Sequence, residues 1–177
     1  MADDNSQPSQ VSANEEDLAR YLAIDPSTTS SKPFPFEAHS KFLVKVMVGL
    51  MVIIMAIHIF MAFAVNTGNT GAGINWKDQA SFVGVGLILA ACCLVLVRPR
   101  VRVNEDGVEI RNFLNPKFYP WSVIYGLNFP KGARWARLEL PEFEYVNILA
   151  LQSGDGTYAV EKVREFRRYE AQYMPQD

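Results

Sequence analysis

The chain has 177 residues, a net charge of −2 and 49% hydrophobic residues. This length suits one compact domain with appendages, and the near-neutral charge argues against a nucleic-acid-binding protein. Residues 1–40 are acidic, whereas residues 41–97 are almost free of charge. The sequence therefore divides into a tail (1–40), an apolar part (41–97) and a C-terminal part (98–177).

The tail is predicted to be mostly irregular, with one short helix. Ser12 followed by Glu15 is a capping-box pattern, which marks the start of a helix. A segment with so few apolar residues cannot fold alone, because too little burial offsets the entropy of ordering it. Its apolar residues are therefore predicted to tether the tail to a partner protein: Leu18, Tyr21, Leu22, Phe34 and Phe36.

Two apolar runs, residues 44–65 and 80–97, are predicted to be transmembrane helices. At about 1.5 Å per residue, runs of this length match the hydrocarbon core of a bilayer, which is about 30 Å thick. The first run follows a long acidic segment instead of a short basic one, so it does not read as a signal peptide. The sequence predicts a two-helix hairpin.

Basic residues flank the predicted hairpin on one side. Lys41 and Lys45 precede the first span, and Arg98, Arg100 and Arg102 follow the second. Because basic residues are enriched on the cytoplasmic side, both termini are expected in the cytoplasm and the short Gly/Asn-rich loop outside it. The expected location is the inner membrane of a bacterial cell.

Small residues recur four apart on the second span, as Ala80/Gly84 and Gly86/Ala90. Such pairs let another helix approach closely. Gly84 and Ala90 are therefore predicted to contact a helix, which is either the first span or a partner's helix.

His58 lies inside the first span, where a titratable side chain indicates a possible haem, proton or metal site. The other histidine, His39, lies about 28 Å away along one helix. Cys92 and Cys93 are adjacent, so they point in different directions. No cofactor or metal is predicted, and His58 is interpreted as a packing or hydrogen-bonding residue. An electron carrier that uses His58 stays as an alternative.

The C-terminal part reads as short alternating strands followed by one amphipathic helix. Asp106-Gly107 is a hairpin-turn signal, and a second tight turn is expected at residues 154–156. The predicted fold is α+β: a small bent antiparallel barrel closed by a C-terminal helix.

The stretch from EDGVEIRNF to AVEKVREF resembles the pleckstrin-homology-like (PH-like) domain of actinobacterial membrane-anchored proteins of the low-molecular-weight antigen type. Pro120-Trp121, Ala150-Leu151 and Asp155-Gly156 carry most of this resemblance. It implies a PH-like fold behind two membrane spans, and it implies little about activity, because fold does not fix function.

Two features of this domain argue against familiar activities. Its first hairpin loop, residues 104–107, is acidic and would repel a phosphoinositide. The domain has no histidine or cysteine, and Glu142 and Glu144 are interpreted as exposed loop charges. A non-catalytic protein is therefore predicted.

Together these features predict an accessory subunit of a larger actinobacterial membrane complex. The leading expectation is the respiratory cytochrome bcc–cytochrome oxidase supercomplex of the electron transport chain. The alternative is a free membrane-anchored scaffold that binds peptides or proteins during envelope or cell-division processes. The partner's identity, and any ligand of the PH-like domain, stay open at this stage.

Overall fold

The computed structural model describes Ala19, Asp25 and residues 29–67 and 76–174. These residues form two compact units. One unit combines the described residues up to Ser40 with those from Pro99 onward, and the other comprises Lys41–Arg98. The predicted short helix of the tail lies outside the described residues, apart from Ala19.

The apolar unit consists of two helices, α1 (Lys41–Thr67) and α2 (Trp76–Leu96). Each is long enough and apolar enough to cross a membrane. Both begin three or four residues before the predicted runs, because a helix continues through polar residues that apolar periodicity does not mark.

The second unit contains seven strands and one helix. The strands are β1 (Phe36–His39), β2 (Arg100–Val103), β3 (Gly107–Arg111), β4 (Lys117–Pro120), β5 (Gly126–Asn128), β6 (Trp135–Glu139) and β7 (Tyr145–Gln152). The helix is α3 (Thr157–Tyr173). Short 3-10 turns occupy Trp121–Val123, Pro141–Phe143 and Ser153–Asp155.

The strands form two antiparallel sheets, in the orders β1-β2-β3-β4 and β5-β6-β7. No backbone ladder joins the two sheets in the part of the chain that the structure describes, so the predicted barrel is open. Asn112 bridges them with its side chain: its amide donates to the carbonyl of Asn147 at 2.7 Å, and its oxygen accepts from the N–H of Leu149 at 3.1 Å.

The strand β1 corrects the predicted boundary at residue 40. It pairs with β2 from Phe36↔Val103 to His39↔Arg100, so four residues assigned to the tail belong to the sheet. Their alternation, with Phe36 and Ala38 buried and the intervening residues exposed, is that of a half-buried strand. Sequence reading missed this strand because it is short and the apolar hairpin separates it from its partner.

Helix α3 closes the core through an aromatic cluster. Phe166 packs edge-on against Phe36, with ring centroids 5.9 Å apart, and against Trp121 at 6.3 Å. Tyr169 also contacts Phe36 at 5.9 Å. The indole N–H of Trp121 donates to the carbonyl of Asn104 at 3.0 Å, which satisfies its polar group inside the core. The predicted closure of the sheet by a C-terminal helix is confirmed.

Phe36 is fully buried in this cluster, whereas Phe34 lies partly exposed on the surface. Phe36→Ala is expected to lower the free energy of unfolding by about 3–5 kcal/mol, the usual loss for a buried phenylalanine. Phe34→Ala should cost less than about 1 kcal/mol. Urea unfolding of the full chain in detergent, followed by tryptophan fluorescence, measures both. Equal losses would show that Phe36 is not a core residue.

Candidate interaction site

A tight turn joins β6 to β7. The N–H of Leu140 donates to the carbonyl of Glu144 at 3.0 Å, and the N–H of Glu144 donates to the carbonyl of Pro141 at 3.2 Å. These two hydrogen bonds close the chain over Glu142 and Phe143. We call residues 141–145 the acidic–aromatic turn, because they read Pro-Glu-Phe-Glu-Tyr.

Two consecutive residues of this turn have left-handed backbone conformations. Glu142 has φ 56° and Phe143 has φ 60°. For residues other than glycine this conformation costs about 1–2 kcal/mol each. The Phe143 side chain is also fully exposed, so no burial offsets that cost. Backbone strain of this kind concentrates at functional sites, and aromatic residues are enriched in protein interfaces.

The surroundings of Phe143 combine aromatic rings with negative charge. Tyr145 is half exposed, and the guanidinium of Arg137 lies 4.3 Å from its ring centroid. Glu142 and Glu144 are exposed on either side of Phe143. Burial, and to a lesser degree the charge of Glu144, raises the pKa of Tyr119, so that phenol stays neutral. The site therefore consists of one exposed aromatic side chain, Phe143, with an acidic residue on each side of it.

From the sequence, Glu142 and Glu144 are expected to be exposed charges, and no role is predicted for Phe143. Their exposure agrees with that interpretation. The available signal was an aromatic residue between two acids in a turn that begins with Pro141, because polar residues dominate turns of this kind.

A second feature is the segment of residues 29–34, which we call the strap. Its contacts to the domain run through side chains. The Thr29 hydroxyl donates to Glu109 Oε2 at 2.6 Å, and the Ser30 hydroxyl donates to Asp106 Oδ2 at 2.6 Å. The Arg102 guanidinium lies 4.4 Å from the Phe34 ring centroid. The strap therefore lies on the outer face of the β2–β3 pair.

The acidic β2–β3 loop is occupied by the chain's own groups. Lys32 Nζ binds Asp106 at 2.7 Å and Glu105 at 2.8 Å. The Asn104 side chain accepts the N–H groups of Asp106 and Gly107, both at 3.0 Å. A Cβ at Gly107 would lie 2.1 Å from the Tyr119 carbonyl oxygen, so only glycine fits there. The carboxylates of this loop bind Lys32 of the strap. Their negative charge opposes a phosphate ligand.

Glu109 is a charged group beneath the strap, with 1% of its surface exposed. Arg102 binds its Oε1 with two donors at 2.7 and 3.0 Å, and Arg100 lies 3.6 Å away. Burial alone would raise the pKa of Glu109. The hydrogen bonds from Thr29 and Arg102, with the charges of Arg102 and Arg100, outweigh burial and hold that pKa below its usual range.

Because the folded-state pKa of Glu109 lies below its unfolded value, its contribution to stability is complete above about pH 4.3. That contribution is lost as the pH falls from there through the folded-state pKa. Glu109→Gln should lower the free energy of unfolding at pH 7 by about 1–3 kcal/mol and flatten the acid limb of the stability curve. Urea unfolding between about pH 3 and pH 7 measures this, with the exposed Glu161→Gln as control. An unchanged acid limb would contradict the ion pair.

The predicted partner-binding residues of the tail separate into three groups. Leu18, Tyr21 and Leu22 lie outside the described residues. Phe36 is buried in the domain's own core, which corrects its assignment as a partner anchor. Phe34 packs on Arg102 of the same chain. Both phenylalanines thus serve the fold of this chain, because the domain supplies the apolar surface that a partner was expected to supply.

The small residues of α2 also divide into two groups. Gly86 and Ala90 are buried on one face of the helix, with Cys93 one turn further. A Cβ at Gly86 would lie 2.8 Å from the Cβ of His58 on α1. Ala90 is therefore interpreted as a packing residue of the hairpin itself. Gly84 has no atom within 4 Å of a Cβ position, so a partner helix there stays a prediction.

His58 packs against α2 at this point. Its Nδ1 lies 2.8 Å from the carbonyl oxygen of Ile54, one turn earlier on the same helix. Among the described residues, no three His, Cys, Asp or Glu side chains form a group that could hold a metal ion. The observed contacts of His58 are those of a helix-packing residue.

Gly86 and Gly84 form a matched pair for testing the hairpin. Gly86→Ala is expected to destabilise it by about 1–3 kcal/mol, because the added methyl group overpacks against His58. Gly84→Ala should leave the hairpin's stability unchanged. The measurement is the loss of far-ultraviolet circular dichroism on heating the protein in mild detergent. Equal effects at both positions would contradict the packing of α2 on α1 through Gly86.

The fold and these features define a PH-like domain joined to two apolar helices. Residues 98–168 match the family described as Bacterial PH domain. An uncharacterized protein of Mycobacterium tuberculosis and one of Mycobacterium bovis are each 34% identical to this chain over 123 residues. The match covers 70% of this chain and 80% of each relative. No solved structure matches the chain significantly. The chain belongs to this bacterial PH domain family, with actinobacterial relatives.

Proposed function

We propose that this protein is a non-catalytic, membrane-anchored adaptor that binds a partner protein through the acidic–aromatic turn. The observation that carries this proposal is Phe143, which is fully exposed on a backbone with φ 60°. An exposed aromatic side chain loses few rotatable bonds when it enters a pocket, and its backbone here is already held in a closed turn. Aromatic anchors of this kind contribute most of the binding energy at many protein interfaces.

Charge favours a protein over a lipid surface as the partner. Glu142 and Glu144 flank Phe143 and are exposed. Negative charges at the contact point oppose approach to an anionic membrane surface. They favour an apolar pocket with a basic rim, because complementary charge steers association and fixes orientation.

The membrane anchor is the α1–α2 hairpin, and we propose that both of its ends face the cytoplasm. His39 and Arg100 are partners in the β1–β2 pair, so the two ends of the hairpin leave one sheet side by side. A two-helix hairpin with adjacent ends places both on the same side of a bilayer. The basic residues Lys41, Lys45 and Arg98 favour the cytoplasmic side of a bacterial inner membrane.

As the setting for this adaptor we propose a larger membrane complex in which the protein is an accessory subunit. Gly84 leaves room on α2 for a partner helix, which supports docking inside the membrane. The respiratory cytochrome bcc–cytochrome oxidase supercomplex is the first assembly to test. Its support is the association of small accessory proteins with such complexes, and no described residue singles it out. A free scaffold in envelope or cell-division processes would use the same turn.

The turn is tested by photocrosslinking in cells at position 143. Replacing Phe143 by a photoreactive benzoylphenylalanine should yield one discrete crosslinked protein. The same replacement at Phe113, which is also exposed, is the control. The crosslinked protein is identified by mass spectrometry, and a subunit of the supercomplex would distinguish the accessory role from the free scaffold. Absence of a crosslink at position 143, or equal crosslinks at both positions, would refute the proposed turn.

The conformation of Phe143 gives a second signature. Phe143→Ala should weaken the partner's affinity roughly 30-fold or more, as expected for an aromatic anchor worth about 2 kcal/mol. Phe143→Gly should weaken it as much while raising the free energy of unfolding, because glycine adopts φ 60° without strain. Affinity is measured with the purified, uncrosslinked form of the partner that the photocrosslinking identifies. Stability is measured by urea unfolding. Loss of binding together with loss of stability would indicate a structural role instead.

A further inference from the structure

The strap is attached to the domain by polar and charged side-chain contacts. Between residues 29–35 and the other described residues, no backbone–backbone hydrogen bond is formed before β1 begins. The contacts are the hydroxyl bonds of Thr29 and Ser30, the ion pairs of Lys32 and the stacking of Phe34 on Arg102. Such an attachment responds strongly to one change of charge, because no strand ladder holds the segment in place.

We propose that Ser30 is a phosphorylation site and that its modification detaches the strap from the domain. The Ser30 hydroxyl donates to Asp106 Oδ2 at 2.6 Å, and its oxygen accepts the backbone N–H of Lys32 at 3.1 Å. Asp106 also binds Lys32, which in turn binds Glu105. Ser30 is therefore the hydroxyl donor to a carboxylate in a small cluster of two acids and one base.

A phosphoryl group would reverse this interaction. It removes the hydroxyl donor and adds a charge of about −1.5 to −2 with acceptor oxygens only. Opposite Asp106 and Glu105, with Lys32 as the cation of the cluster among the residues that the structure describes, the added charge is strongly repelled. Lys32 would then pair with the phosphate in place of the two carboxylates. The three contacts that hold the centre of the strap are lost together.

Phosphorylation of Thr29 would not turn an attractive contact into a repulsive one in the same way. Its hydroxyl donates to Glu109, but Arg102 and Arg100 lie beside that carboxylate. A phosphate at Thr29 would meet two guanidinium groups as well as one acid, so attraction and repulsion would largely offset each other. The charge arrangement therefore selects Ser30.

Access to a kinase is consistent with the local structure. Ser30 is partly exposed, and Thr29 and Ser31 on either side of it are exposed. Residues 29–35 form neither helix nor strand, so the segment can adopt the extended form in which kinases bind substrates. A serine/threonine protein kinase would transfer the γ-phosphoryl group of ATP. The Ser30 Oγ–P bond forms, the bond between the γ-phosphorus and its bridging oxygen breaks, ADP leaves, and the hydroxyl proton passes to the kinase base.

Detachment would change the surface of the domain. Phe34 would no longer contact the Arg102 guanidinium. Glu109 would lose the hydrogen bond from Thr29 and would become more exposed to solvent. The β1–β2 pair would keep its backbone bonds and lose the side-chain support on its outer face. The modification thus exposes the charged face of β2 and β3, which the unmodified strap covers.

The test uses the full chain in lipid nanodiscs, with phosphoserine installed at position 30 by genetic-code expansion. The rate at which proteinase K cleaves within residues 29–35 is measured by mass spectrometry. Phosphoserine at Ser30 should accelerate this cleavage on the order of ten-fold, because a detached strap enters the protease more readily. Ser30→Ala, which removes the donor without adding charge, should have a smaller effect. Phosphoserine at the exposed Ser153 is the control for added charge elsewhere and should have none.

The double variant Asp106→Asn with Glu105→Gln supplies a charge-specific check. In the presence of phosphoserine at position 30, it should restore part of the protection, because the repulsion is gone and the introduced amides can donate to the phosphate. Unchanged cleavage with phosphoserine at Ser30, or an equal effect at Ser153, would overturn the switch. Phosphopeptide mapping of the protein expressed in a mycobacterial host, in growing and stationary cultures, should find phosphate on Ser30. An unmodified Ser30 in both cultures would overturn the site.

Discussion

The pairing of β1 with β2 is the constraint on which the rest of the structure depends. These strands lie on opposite sides of the apolar hairpin in the sequence, yet they form one antiparallel pair. Because β1 contributes Phe36 to the core, the packing of Phe166 and Tyr169 from α3 depends on it as well. A preformed hairpin brings the two strands together and lowers the entropic cost of closing so long a connection.

The same pairing explains the electrostatics of the outer face. With Phe36 and Ala38 turned inward, the polar side chains of β2 and β3 point outward, where Arg102 lies opposite Glu109. A carboxylate this well covered is costly unless it is paired and fully hydrogen-bonded. Two arginines and Thr29 meet that requirement. The strap is thus part of the domain's charge balance, and its neighbour is the acidic β2–β3 loop.

The acidic–aromatic turn differs from the core in how its aromatic residue affects stability. Phe36 and Trp121 stabilise the domain by burial, whereas Phe143 adds backbone strain and exposed apolar surface. Its hydrogen bonds hold the backbone of the turn, so the direction in which the Phe143 side chain leaves the chain is set before any partner arrives. An exposed aromatic side chain between two acids suits recognition of a protein better than contact with an anionic bilayer.

The sequence by itself determined the two apolar helices, the Asp106-Gly107 turn and the closing helix, because each depends on local composition or periodicity. Its resemblance to a known family indicated the PH-like class. Only the tertiary structure assigned Phe36 to the core, because its strand pairs with residues beyond the hairpin. It also distinguished Gly86 from Gly84, since helix packing and not residue type decides which small residue is needed. Likewise, the left-handed Phe143 follows from how β6 and β7 meet, a relation between strands that no local pattern records.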